Sequence, residues 1–120
     1  MPSTEEIQEA NFETRRVLEA EARRQRTIHY SELTPKIESL DLEPDSDRLK
    51  ELLDGISRES NAVKGVMLSA VVIRKGEEPL PGPGFFKLAR ELGRTVGSDL
   101  QDRLAFHAEE LKAVYAAYAR

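Results

Sequence analysis

Apolar positions along this chain fall mostly at helical spacing, interrupted by one dense apolar run. Leu49, Leu52, Leu53 and Ile56 keep an i, i+3, i+4, i+7 order. That spacing predicts a helix capped by Asp45 or Ser46 and running to about Asn61. Gly55 inside it costs about 1 kcal/mol relative to Ala and leaves room for close packing. Upstream, Ile7, Ala10, Val17, Leu18 and Ala22 mark only a thin stripe on a helix from Thr4 to Arg26, which is therefore expected at the periphery. Ser3 or Thr4 caps it. Glu5 and Glu6 suit the positive end of its dipole, and Arg23, Arg24 and Arg26 suit the negative end. Thr27 to Tyr30 is a β-favouring tetrad, followed by Ser31 as the cap of a short helix over Glu32–Leu40 with Pro35 in its first turn. Residues 41–46 form a loop.

The dense run is Leu68 to Ile73, β-branched and too short for a helix between its flanks, so it predicts a buried strand. A turn begins at Lys75-Gly76, and Pro79 to Gly84 forms a stiff loop. Phe85, Leu88, Ala89 and Leu92 share one face of a fourth helix, Phe85–Leu92, which Gly93 closes. Leu100, Leu104, His107, Leu111, Val114 and Tyr118 then alternate at spacings of four and three on a last helix capped by Ser98 or Asp99. This seam is expected to pack on the first helix, with a homodimer through the C-terminal helix as the alternative.

These elements predict a single α+β domain over residues 1–120. It is mostly helical, with a small sheet of Leu68–Ile73 and Ile28–Tyr30 between long N- and C-terminal helices. Residues 1–26 form the peripheral helix, 27–97 the core and 98–120 the last helix. The expected core contains Leu33, Ile37, Leu49, Leu52, Leu53, Ile56, Leu68, Val71, Ile73, Phe85, Leu88, Leu92, Leu104 and Leu111.

Composition narrows the function classes. The 120 residues are long enough to bury a real core. A net charge of −4 provides no global attraction to nucleic acid, so an anion-binding surface has to be local. With no Cys, a disulfide framework, a thiolate zinc site and a cysteine nucleophile are excluded. No apolar run approaches the roughly 18 residues of a membrane span, and the acidic N-terminus lacks signal-peptide features. The expected location is cytoplasmic.

No cofactor or metal is expected, because His29 and His107 stand outside any metal-ligand spacing. His107 falls on the apolar seam and reads as a satisfied, half-buried residue. Ser69 has no local base. The chain is accordingly expected not to be an enzyme, a reading that a deep pocket lined by His29, Tyr30 and buried acids would reverse.

Charge is uneven along the chain. Between Ala62 and Gly97, six basic residues (Lys64, Arg74, Lys75, Lys87, Arg90, Arg94) face three acids, a local charge of +3. Arg74 and Lys75 end the apolar run, and Lys87, Arg90 and Arg94 lie at i, i+3 and i+7. A solvated helix face is one reading of this patch; contact with phosphates is the other. The loop Glu78–Gly84 is not a phosphate-cradling P-loop, since its glycines are wrongly spaced and no Gly-Lys-Ser/Thr follows. The five arginines of the first helix alternate with six glutamates and read as ion-paired surface.

Two resemblances enter on particular residues. Leu68 to Lys75 and Pro81 to Phe86 resemble the "LSALVV-K-G-PGPGFF" core of a group of small, mostly uncharacterised bacterial and phage proteins. Thr27-Ile28-His29-Tyr30-Ser31-Glu32-Leu33, an amphipathic helix and then Met67 to Gly76 resemble the winged-helix domain of alkylguanine-DNA alkyltransferases and alkyltransferase-like proteins. In that family a "T-x-Y-G-x-L" start precedes a recognition helix and a "P-C-H-R-V-V" strand.

The second resemblance implies a winged-helix-like topology, with Tyr30 close to a DNA backbone and the helix from Asp45 to Asn61 in the recognition position. The family's cysteine would fall near Ser69, and Ala70 stands where its histidine would be, so alkyl transfer to a thiolate is excluded. The recognition-position helix carries Asp45, Asp47, Glu51, Asp54 and Glu59 against Arg48, Lys50 and Arg58, a poor electrostatic match to DNA. The leading expectation is a non-catalytic module of phage or host-defence biology that binds nucleic acid through Arg74, Lys75, Lys87, Arg90 and Arg94, with Tyr30 in support. The rival is a protein-binding adaptor or inhibitor that presents its acidic helices to a basic partner and makes no nucleic-acid contact.

Overall fold

A computed structural model describes residues 1–119 of the chain. Ser3 opens the first helix, α1 (Thr4–Arg23), with a capping box: its hydroxyl accepts the Glu6 amide while the Glu6 carboxylate accepts the Ser3 amide. Ala10, Thr14, Leu18 and Ala22 follow at intervals of four, and all are fully buried. This helix is not peripheral, because it packs on α3 (Asp47–Lys64), α5 (Leu100–Tyr118) and the segment Leu68–Val71. Its stripe reads as thin because three of those residues are small. Small side chains are what allow neighbouring elements to come close, and the Thr14 hydroxyl hides its proton on the Ala10 carbonyl at 2.6 Å.

After α1, strand β1 (Ile28–His29) leads into a short helix, α2 (Tyr30–Leu33), and a 3-10 turn, Thr34–Lys36. The predicted helix to Leu40 stops here because Pro35 has no amide proton to continue the ladder. Ser46 caps α3 through the Leu49 amide, and α3 runs to Gly65, which adopts a left-handed φ of 73°. It extends three residues beyond the predicted end because the stop is this glycine.

The dense apolar run is not a six-residue strand. Leu68–Val71 forms a buried 3-10 turn against α1, α3 and α5, and only Val72–Ile73 is extended, as β2. The reason lies in the backbone donors. The Met67 amide goes to Glu110, the Leu68 amide to the Ser60 hydroxyl and the Ser69 amide to the Ser57 hydroxyl. Side chains from two helices take the place of a neighbouring strand, so the segment curls into the core.

β1 and β2 pair in parallel, Ile28 with Val72 and His29 with Ile73. No antiparallel hairpin occurs among the described residues. The described residues are α+β and 65% helical, with five α-helices and this one two-stranded sheet.

Beyond β2, the Arg74 amide donates to the Leu80 carbonyl at 2.9 Å and closes an exposed loop over residues 74–79. Pro83 occupies the first turn of α4 (Pro83–Glu91), and Gly93 turns the chain with φ 87°. Asp99 then caps α5 through the Asp102 amide. The seam of α5 is spent largely inside the chain, on α1 and the 3-10 turn. Eleven of the fourteen expected core residues are buried; Leu92, Leu104 and Leu111 pack against the core from its edge. No helix among the described residues is long and apolar enough to cross a membrane.

Candidate nucleic-acid interface

The ends of β1 and β2, the flank of α3 and α4 enclose a half-open cleft of about 810 Å³. Leu53, Phe85 and Leu88 give it an apolar lining. Lys50, Arg58, Arg74, Lys75 and Lys87 bring positive charge, against Asp45, Asp54 and Glu91. The parallel pairing is what gathers these groups: His29-Tyr30 follow one strand and Arg74-Lys75 follow the other.

Tyr30 moors the stiff loop. Its hydroxyl oxygen accepts the Gly82 amide at 2.9 Å, and burial raises its pKa despite that bond and the nearby Arg74. Arg74, Lys75 and Lys87 are exposed, and none has a carboxylate within 4.0 Å among the described residues. Arg58 pairs with Glu91 at 2.8 Å and ties α3 to α4. Asp54 stands one turn before Arg58 on α3: burial pushes its carboxyl pKa up and Glu91 adds to the rise, while Arg58 and Lys87 oppose it.

The cleft therefore gathers four of the six residues expected to bind nucleic acid: Tyr30, Arg74, Lys75 and Lys87. The other two are employed elsewhere. Arg90 donates from Nε to the Val96 carbonyl and from Nη2 to the Gly97 carbonyl, holding the turn before α5. Arg94 bonds the buried Glu110 carboxylate, the Asn61 side-chain oxygen and the Gly65 carbonyl. The supposed row of Lys87, Arg90 and Arg94 breaks because α4 ends at Glu91 and the left-handed turn at Gly93 carries Arg94 off the helix face.

Lys50, Asp54 and Arg58 were not foreseen in the cleft. Their spacing of four along α3, beside Leu53, is a signal the sequence did contain. Glu110 left a weaker trace, three residues after His107 on the buried side of α5.

A pocket lined by His29, Tyr30 and acids is thus present, but its acids are not buried. Asp54 is half-buried, and Asp45 and Glu91 are exposed. His29 Nδ1 lies 3.2 Å from Glu32. The Ser69 hydroxyl meets only the Ser57 hydroxyl, with no imidazole or carboxylate in hydrogen-bond reach. His107, outside the cleft, donates from Nε2 to the Ala70 carbonyl at 2.8 Å, and burial lowers its pKa. Among the described residues no group of three or more His, Asp and Glu side chains is placed to hold a metal ion.

In comparison with known proteins, the chain matches no protein-family model, no curated protein and no solved structure.

Proposed function

We propose that this protein is a non-catalytic nucleic-acid-binding module whose contact surface is the cleft between α3 and α4. The observation that carries the reading is the convergence of three unpaired cations, Arg74, Lys75 and Lys87, on one concave surface of a chain whose net charge is negative. Within the cleft Arg58 is spent on Glu91, and elsewhere Arg15, Arg26, Arg90 and Arg94 are spent on carboxylates or carbonyls. Unpaired cations beside an apolar wall favour a polyanion that also carries apolar surface.

A winged-helix-like order, β1 then α2 and α3 then β2, is part of this proposal, with the loop 74–79 standing in place of a wing. The sheet itself is parallel, so the proposal rests on the cleft and not on a wing.

Three neutralised phosphates give a log–log salt slope between about −2 and −3. Affinity should then fall about 20- to 40-fold between 50 and 200 mM salt. A triple change of Arg74, Lys75 and Lys87 to Glu should abolish binding, while Lys112→Glu on the exposed side of α5 should leave it intact. Absence of binding to DNA or RNA at low salt would refute the proposal and leave the adaptor reading in its place.

A further inference from the structure

Resting on that reading, we infer that the cleft takes a single strand of nucleic acid, with phosphates on Arg74, Lys75 and Lys87 and an unstacked base against Leu53, Phe85 and Leu88.

The shape of the cleft favours a single strand. A duplex is read by a convex element that enters a groove, most often a helix with a basic face. The helix in that position is α3, and from Asp47 to Lys64 its four basic residues are matched by four acidic ones. Arg58 is bound to Glu91, and Lys50 lies 3.8 Å from Asp47. That face offers no positive stripe. Arg74, Lys75 and Lys87, which have no ion pair among the described residues, sit instead around a concavity of about 810 Å³, within the range of clefts that enclose small ligands.

The chemistry of the lining favours it as well. The floor is apolar, formed where Leu53 and Phe85 are each 6% exposed and Leu88 is 1% exposed, and an apolar floor gains nothing from phosphate alone. The Tyr30 oxygen accepts the Gly82 amide and so leaves its own proton to donate. Apolar surface with a hydrogen-bond donor at its edge suits a base edge. In a duplex the base faces are stacked and out of reach, while in a single strand they are available. DNA and RNA share this chemistry.

The cleft wall also supplies a probe. Gly84 lies on the cleft wall, and a Cβ built there meets no atom within 4 Å. Gly84→Leu therefore adds bulk at the cleft wall without removing charge.

The test is fluorescence anisotropy with labelled oligothymidylate, oligouridylate and a duplex of equal length, at fixed low salt. Single strands are expected to bind at least tenfold more tightly than duplex, and the thymidylate and uridylate arms show whether the sugar is distinguished. Gly84→Leu, with an unchanged thermal midpoint as evidence of folding, is expected to lower single-strand affinity at least tenfold. Should it fail to fold, the paired change of exposed Arg74 and Lys75 to Glu, with the ratio of single-strand to duplex affinity, carries the test.

Duplex bound as tightly as single strand, with both lost on charge reversal, overturns this inference and leaves the proposed function standing. Single-strand binding that Gly84→Leu does not change overturns the base placement. No binding by any probe overturns both.

Discussion

Replacing Glu110 should cost this protein a large share of its stability. Glu110 is 5% exposed on α5, and its two oxygens serve different elements. One accepts the Met67 amide at 2.7 Å, at the entry to the 3-10 turn; the other meets Arg94, which also binds Asn61 and Gly65 at the end of α3. In Glu110→Ala the Met67 amide loses its partner, a cost of about 1–3 kcal/mol. Arg94 loses its counter-ion as well. A fully buried pair broken in this way costs about 3–5 kcal/mol, but the Arg94 side chain is 23% exposed and water screens part of that.

The expected sum is about 3–5 kcal/mol, against a total of about 6–18 kcal/mol for a domain of this length. Urea unfolding followed by circular dichroism would show it as a lowered midpoint at constant slope. Glu110→Gln keeps an acceptor for Met67 and should recover about half the loss. The decisive measurement is the double-mutant cycle with Arg94→Met. If the two residues act as a pair, the double variant is less damaged than the sum of the singles by about 1–3 kcal/mol. A coupling below about 0.5 kcal/mol would refute the reasoning, and Arg94 would again be free to be a phosphate contact.

Two further predictions follow from titration. Burial holds the His107 pKa below its ordinary value, so between pH 7 and pH 5 the unfolded chain binds the proton first and stability falls as pH falls, by at most about 1.4 kcal/mol per pH unit. His107→Gln, which keeps a donor for Ala70, should flatten that part of the stability profile, and parallel wild-type and variant profiles would count against it. Asp54 has the opposite sense: its raised pKa penalises the fold at neutral pH and not below the ordinary carboxyl range. Asp54→Asn should therefore gain stability at pH 7, by less than about 1 kcal/mol given its partial exposure, with the gain vanishing in acid; a variant no more stable than wild type at pH 7 would reject it. The same change removes a negative charge from the cleft and should tighten polyanion binding.

The sequence was most readable where one local rule decided the outcome. Leu49, Leu52, Leu53 and Ile56 marked α3 because their spacing agrees with its cap and with burial on one side. The closing glycine at 93 and the cap before α5 were legible for the same reason. The apolar run was misread because β-branched composition reports burial and not conformation. Ser57, Ser60 and Glu110, distant in sequence, supply the acceptors that make a 3-10 turn cheaper than a strand. The stripe of α1 was undervalued because Ala10, Thr14 and Ala22 carry little hydrophobicity at positions of complete burial.

Half of the cleft was visible as a basic segment. What hid the rest was tertiary: nothing local says that Arg90 would be held by Val96 and Gly97, or Arg94 by Glu110. Nor does spacing alone say that Lys50 and Arg58 would face Lys87.

The two-residue parallel pairing of Ile28 with Val72 has a kinetic meaning. Pairing across the whole of α2 and α3 closes a long loop, and long-range closure comes late in folding because its entropy must be overcome before contacts reward it. Helices α1 and α3 can form from local information, but Tyr30 meets Arg74 and Gly82 only when this clasp shuts. A nascent chain that has emerged only as far as Ser69 already contains the whole of α3 and has no cleft at all. Loop-closure entropy therefore predicts that the cleft is completed after the helices, and that a partly folded chain presents helices without it.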